Sequence, residues 1–151
     1  MDLERKYGVD SEYKYKYLKE ITRTSPAGLA QITINSRSYE DTNSDDIPDL
    51  ITDTVTVNGK SWTSADNTLA GMITNASPPG RGTTVEYNTT NLLTEETGVT
   101  GLLPTTFSFD ARGRLTGTTT GTRTTTRGYD ANGNLDFIVT PDNKTYDYTF
   151  D

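Results

Sequence analysis

Aromatic residues recur along the chain at Tyr39, Trp62, Tyr87, Phe109, Tyr129 and Phe150, each followed by turn-forming residues, at separations of 23, 25, 22, 20 and 21 residues. A period of roughly 20 residues or more marks a repeat architecture, in which each supersecondary unit buries its apolar face only by stacking on its neighbours. The repeating unit reads as a β-hairpin. In Tyr129-Asp130-Ala131-Asn132-Gly133-Asn134-Leu135 the Asn-Gly pair is expected to supply the two positive-φ positions of a tight hairpin turn. Phe109-Asp110-Ala111-Arg112-Gly113-Arg114-Leu115 repeats the same order. Between such tips lies a second reversal, as in Thr140-Pro141-Asp142-Asn143-Lys144, Val57-Asn58-Gly59-Lys60, Ser25-Pro26-Ala27-Gly28 and Ser77-Pro78-Pro79-Gly80, where proline presets φ and glycine or asparagine takes the unusual one. Each repeat therefore carries two reversals and two strands.

Composition supports strands over helices. Of 151 residues 30 are threonine and only 31% are hydrophobic, which suits a pleated, half-wet sheet better than a compact globule. A threonine-rich, mucin-like stalk is the competing reading, but nine tyrosines and a tryptophan at regular spacing oppose it. Period-2 alternation in Tyr13-Lys14-Tyr15-Lys16-Tyr17, in Val55-Thr56-Val57 and in Tyr146-Asp147-Tyr148-Thr149-Phe150 puts aromatic and apolar groups on one face. Residues 1–12 are expected to be a frayed end.

Charge and residue types exclude several functions. With 14 basic against 21 acidic residues the net charge is −7, which disfavours nucleic acid and anionic membrane surfaces as partners. No apolar run approaches the roughly 18 residues of a membrane span, and Met1-Asp2-Leu3-Glu4-Arg5-Lys6 is not a signal peptide. Without cysteine or histidine, no disulfide, thiolate or imidazole metal site and no Ser-His-Asp or Cys-His system can form. Adjacent Glu95 and Glu96 face opposite sides of a strand, and Gly80-Arg81-Gly82 lacks the lysine and helix of a phosphate cradle. The chain is therefore read as non-enzymatic.

The motifs at 109–115 and 129–135, together with Tyr146-Asp147-Tyr148-Thr149-Phe150-Asp151, resemble the YD repeats of Rhs-type proteins, which also occur in the C component of bacterial Tc toxins and in teneurins. The resemblance is closest over residues 105–151, looser over 22–104, and does not reach 1–12. It implies a long β-hairpin strip that spirals into a hollow shell, which in full-length members encloses a toxic C-terminal domain or serves cell-surface adhesion. It also implies secretion or display at the cell surface. About six imperfect repeats over residues 13–151 are too few to close a shell. The expected fold is thus all-β, tandem antiparallel β-hairpins in an open, curved strip. No aspartyl autoproteolytic segment or toxin domain follows, and the sequence stops within a motif at Phe150-Asp151, so a fragment or trimmed product of a larger protein is expected. Its partners would be other parts of that protein, or further copies of itself through open sheet edges, which also raises the prospect of a filament.

One tip is longer than the rest. After Tyr39, Asp41-Thr42-Asn43-Ser44-Asp45-Asp46-Ile47-Pro48-Asp49 replaces the short turn before Leu50. Oxygen-bearing side chains at loop positions 1, 3, 5 and 9 with an apolar residue at 7 match the spacing by which a tight loop wraps Ca²⁺. The pattern resembles the Asp-rich calcium loops of thrombospondin type 3 and integrin-like repeats. Asp41, Asn43, Asp45 and Asp49 through side chains, and Ile47 through its carbonyl, are the candidate metal ligands, with Ca²⁺ the candidate cofactor. The alternative is an acidic, solvated loop held by Asx-turns.

Trp62 and Tyr87 are candidate carbohydrate-binding residues if the strip is instead an adhesion or glycan-binding module. Arg112, Arg114, Arg123 and Arg127 form the basic cluster, which reads as cross-strand pairing with acids or a solvated face. Asn75, Asn88 and Asn143 begin glycosylation sequons, which arise easily in a threonine-rich chain.

Overall fold

The computed structural model describes residues 1–150, and all of its regular elements are strands. They are β1 (Asp2–Val9), β2 (Lys16–Thr24), β3 (Ala30–Glu40), β4 (Leu50–Val57), β5 (Lys60–Asn67), β6 (Met72–Ala76), β7 (Gly82–Tyr87), β8 (Thr94–Val99), β9 (Thr105–Phe109), β10 (Leu115–Thr120), β11 (Arg123–Tyr129), β12 (Leu135–Val139) and β13 (Thr145–Asp147). β1 to β6 pair in the order of the sequence, and so do β8 to β13, so each of these strands lies beside the one the chain has just made or is about to make. This is the expected all-β run of tandem antiparallel hairpins. The chain forms two compact units, Met1–Thr83 and Thr84–Asp151.

In the first unit the register sorts side chains by chemistry. Directly opposed residues share a face. Ser36, Thr54, Thr63 and Ala76 form one row, and Ser38, Thr52, Ala65 and Thr74 the next, giving a face of hydroxyls and methyls. On the opposite face run Ile21, Thr33, Val57 and Lys60, then Asn35, Val55 and Trp62, then Tyr39, Ile51, Asp66 and Ile73. The alternation of Thr52, Thr54 and Thr56 with Ile51, Val55 and Val57 is what separates the two faces. Arg37 sits directly opposite Asp53 and grips it through two hydrogen bonds of 2.5 and 2.6 Å.

The second unit follows the same logic. Phe107, Thr118 and Thr125 lie in one row. Arg127, Ile138 and Tyr146 follow on that face, where Arg127 donates to Thr118 Oγ1 at 3.1 Å. The other face carries threonine pairs, including Thr119 and Thr124 with hydroxyls 3.0 Å apart. It also carries Gly128 opposite Phe137.

No apolar side chain is fully buried among the described residues; Asp10 and Asp49 are the buried polar side chains. Cohesion in each unit rests on backbone ladders, half-covered aliphatic rows and the polar chemistry of the turns, because a single sheet layer lacks the second layer that normally covers an apolar face.

Four expectations change. Residues 1–12 are not a frayed end: Asp2–Val9 pair along β2, and charged side chains are tolerated on an exposed strand where Lys6 meets Glu20 at 2.6 Å. The tyrosine alternation does not start a strand at Tyr13, because residues 11–13 are turn and β2 begins at Lys16. Trp62 is not a tip anchor but lies mid-strand in β5; the tip of that repeat is at Asn67, whose Oδ1 accepts the Ala70 N–H at 2.9 Å. Asn132-Gly133 supplies one positive φ, at Gly133 (96°), whereas Asn58-Gly59 supplies two (48° and 79°) and closes the tight two-residue hairpin. Phe150 lies beyond β13, and Asp151, which ends the last motif, falls outside the described residues.

Candidate functional site

Five of the turns share one design. At Ser25, Ser77, Asp110, Asp130 and Thr140 the N–H of the first residue donates to the carbonyl four residues on, at 2.8 to 3.0 Å. The residue three positions on has positive φ: Gly28, Gly80, Gly113, Gly133 and Asn143. A type I turn followed by one left-handed residue gives this loop, and glycine takes that conformation without a Cβ clash. At Asp10 and Asn88 the loop is one residue longer, closing on Tyr15 and Leu93, and Lys14 (58°) and Leu92 (59°) take the left-handed position.

At the aspartate tips the carboxylate holds the turn. Asp110 Oδ1 accepts the N–H groups of Arg112 (2.9 Å) and Arg114 (3.0 Å), and its Oδ2 accepts Arg114 Nε and Nη2, both at 2.7 Å. The backbone N–H and the side chain of Arg114 hold the Asp110 carboxyl below its ordinary pKa of 3.8. Asp130 Oδ1 accepts Asn134 N–H at 2.8 Å and its Oδ2 accepts Asn134 Nδ2 at 3.1 Å. The Arg114 guanidinium then lies 4.3 Å over the Tyr129 ring, and the Tyr129 hydroxyl donates to the Leu115 carbonyl at 2.9 Å. Thus the tyrosine of one tip locks onto the turn of the tip before it.

The first unit repeats that arrangement around Asp10, a residue whose role the sequence pattern does not reveal. Asp10, 3% exposed, accepts the N–H groups of Glu12 (3.0 Å) and Tyr13 (2.8 Å) and the Tyr39 hydroxyl at 2.7 Å. Tyr13 and Tyr39 meet edge to face with centroids 5.6 Å apart. Burial pushes the Asp10 carboxyl up, but the donors from Tyr13, Tyr39 and Glu12 outweigh it and the net shift is downward. Burial and the bond to Asp10 push the Tyr39 phenol up to about 12. The available signal was an aspartate followed by a cation four residues on, as in Asp110 and Arg114; the loop's extra residue and Lys14 in the left-handed position obscured it.

In the loop at 41–49 the expected ligands lie close together but face their own backbone. Asp41 Oδ1 accepts Ser44 N–H at 2.6 Å and Oδ2 accepts Asp46 N–H at 2.8 Å. Asn43 Oδ1 accepts Asp45 N–H (3.1 Å), and Asp45 Oδ1 accepts the N–H of exposed Ile47 (2.9 Å). Buried Asp49 reaches back, its Oδ2 accepting the N–H and hydroxyl of Thr42, both at 2.9 Å. Burial opposes the ionised Asp41, yet the surrounding N–H groups lower its pKa overall. Among the described residues no three acidic side chains converge as a metal site requires. Asx-turns thus hold the backbone of the loop.

Trp62, 42% exposed on β5, borders a cleft with Lys60, Ser77, Pro78, Pro79 and Arg81. Tyr87 belongs to the second unit, half-buried at the end of β7. The four arginines do not form one site. Arg114 is held by Asp110, Arg127 by Thr118, while exposed Arg112 stands at the 110–114 tip and exposed Arg123 at the other end of the hairpin. No helix among the described residues is long and apolar enough to cross a membrane.

A family model described as Teneurin YD-shell matches residues 9–151. No curated protein matches the chain at a significant level.

Proposed function

Since the chain belongs to the teneurin YD-shell family, a family of structural shell domains, we propose that it forms a stretch of the wall of a larger secreted or cell-surface protein and works by holding shape, not by catalysis. One observation carries this reading. Tips are tied to an earlier turn in two places, Tyr129 to Leu115 and Tyr39 to Asp10, while no apolar side chain is fully buried among the described residues. A sheet built this way is stiff along its tips and leaves the aliphatic row around Val55 and Trp62 for another part of the parent protein to cover. The wall role is common to shells that enclose a toxin and to adhesive ones.

An apolar fluorescent dye tests the reading. The isolated chain should bind it, and Val55→Thr with Trp62→Thr should remove most of that binding while the sheet signal in far-ultraviolet circular dichroism stays. A wild-type chain that binds no dye would overturn the proposal. Pairing of further copies edge to edge is a weaker proposal, because β1 is charged and β13 is three residues long, both features by which edges resist pairing. Sedimentation showing mass that rises with concentration would support it.

Calcium at Asp41, Asn43, Asp45, Ile47 and Asp49 stands as a separate proposal. It rests on the ligand spacing, since oxygens at alternate positions of a tight loop suit a hard dication; of the five residues only Asp41 lines the adjoining hollow. Binding would require Asp41 and Asp45 to exchange N–H partners for the ion. Saturable heat on calcium titration supports it; no heat, with an unchanged Tm in chelator, overturns it.

A further inference from the structure

The cleft beside Trp62 has a shape and charge that the wall role does not use. Strand β5 outruns β6: the last paired residues are Thr63 and Ala76, so the turn from Ser77 to Arg81 lies alongside Trp62. Lys60 and Trp62, two residues apart, project from one face of β5. The turn forms the second wall and is rigid. Ser77 N–H donates to the Arg81 carbonyl and Gly80 N–H to the Ser77 carbonyl, both at 2.9 Å, and Ser77 Oγ adds a bond to the Arg81 carbonyl at 3.1 Å. Pro78 and Pro79 fix their own φ. The cleft is open to solvent and measures about 490 Å³, within the range of small-molecule sites.

The lining is an indole, two proline rings, a serine and two cations, with no carboxylate. Neither Lys60 nor Arg81 forms an ion pair among the described residues, although the chain as a whole carries −7. We propose that this cleft binds an acidic saccharide, a uronic or sialic acid unit whose apolar ring face stacks on Trp62 and whose carboxylate pairs with Arg81 and Lys60. The planar guanidinium matches a carboxylate bidentately, and a flat aromatic surface suits a sugar's C–H face. Neutral saccharides forgo the charged contacts, and nucleic acid meets the repulsion of the remaining surface. The two readings share the Trp62 ring, which either a covering segment or a sugar occupies; the dye reads the first and the saccharide titration the second, so each can fail by its own test.

The chain's one tryptophan makes the test direct, since its fluorescence reports on the cleft alone. Trigalacturonate and 3′-sialyllactose are the probes, with lactose as the neutral control. At least one acidic probe should change the emission saturably, with half-saturation near or below about 1 mM, and added salt should weaken it. Arg81→Gln and Lys60→Gln, both exposed substitutions, should each weaken binding about tenfold or more at unchanged Tm. Trp62→Ala should abolish the calorimetric heat. No saturable response to either acidic probe up to about 10 mM would overturn the proposal. So would equal affinity for lactose, or full affinity in both cation variants.

Discussion

Gly128 on β11 sits directly opposite Phe137 on β12, and the phenyl ring lies across the glycine. An added Cβ would stand 2.5 Å from Phe137 Cζ and 2.7 Å from Cδ1, and closer still to Cε1. Real Cβ atoms do not approach so near, so Gly128→Ala forces the ring off its seat. Forcing a side chain from a packed site costs about 1–3 kcal/mol. The backbone of Gly128 has no positive φ, so alanine also gains about 0.4–1 kcal/mol by restricting the unfolded chain. The net loss is then roughly 1–2 kcal/mol, which at this chain length lowers Tm by about 2–8 °C. Thermal melting at fixed protein concentration reads it. The decisive comparison is the same substitution in a Phe137→Ala background, where the ring is gone and Gly128→Ala should become neutral or slightly stabilising. Equal destabilisation in both backgrounds, or a single variant as stable as wild type, would refute the ring-over-glycine packing.

Other consequences can be read from the same geometry. Gly59 holds a φ of 79° with open space around its Cβ position, so Gly59→Ala should destabilise by about 1–2 kcal/mol through backbone strain alone; calorimetry checks it. Asp10, Asp41, Asp110, Asp130 and Asp142 all have folded pKa values lowered below 3.8, so their stabilisation is complete above that pH and is lost as pH falls through the lower folded values. Tm should therefore hold near neutrality and drop below about pH 4. Tyr39 has the opposite sign: its raised pKa stabilises the fold below the ordinary value of 10.0, and that contribution is lost as pH rises toward about 12. Tyr39→Phe removes a donor from buried Asp10, so it should lower Tm at neutral pH and narrow the gap between the melts at neutral and acidic pH. An unchanged gap would show that Tyr39 and Asp10 do not interact.

The hairpin pattern was legible because glycine, proline and asparagine mark reversals by their own backbone preferences. The turns at Ser25, Asn58, Ser77, Asp110, Asp130 and Thr140 fall where those residues stand. The Asp10 turn was hidden for the same reason. Its left-handed position is occupied by Lys14, and a lysine does not announce a positive φ. Strand β1 has no apolar period to reveal it; it is held by ladder pairing with β2, the next strand, which the residues of β1 do not themselves announce. Trp62 keeps the aromatic spacing but not the role, since an aromatic ring serves a sheet face as well as a tip. The loop at 41–49 stands where the sequence places it, as a long Asp-rich insertion, but oxygens at alternate positions suit an ion and the loop's own N–H groups equally, so spacing could not separate the two.

The central claim is that within each unit the strands pair with their sequence neighbours in a fixed register. Cross-strand nuclear Overhauser contacts across β4 test it most directly. Val55 should show them to Asn35 on β3 and to Trp62 on β5, and Val57 to Thr33 and Lys60. Contacts from β4 to any strand other than β3 and β5, or a one-residue slip that set Val55 opposite Ser36, would exchange the two faces and contradict the account.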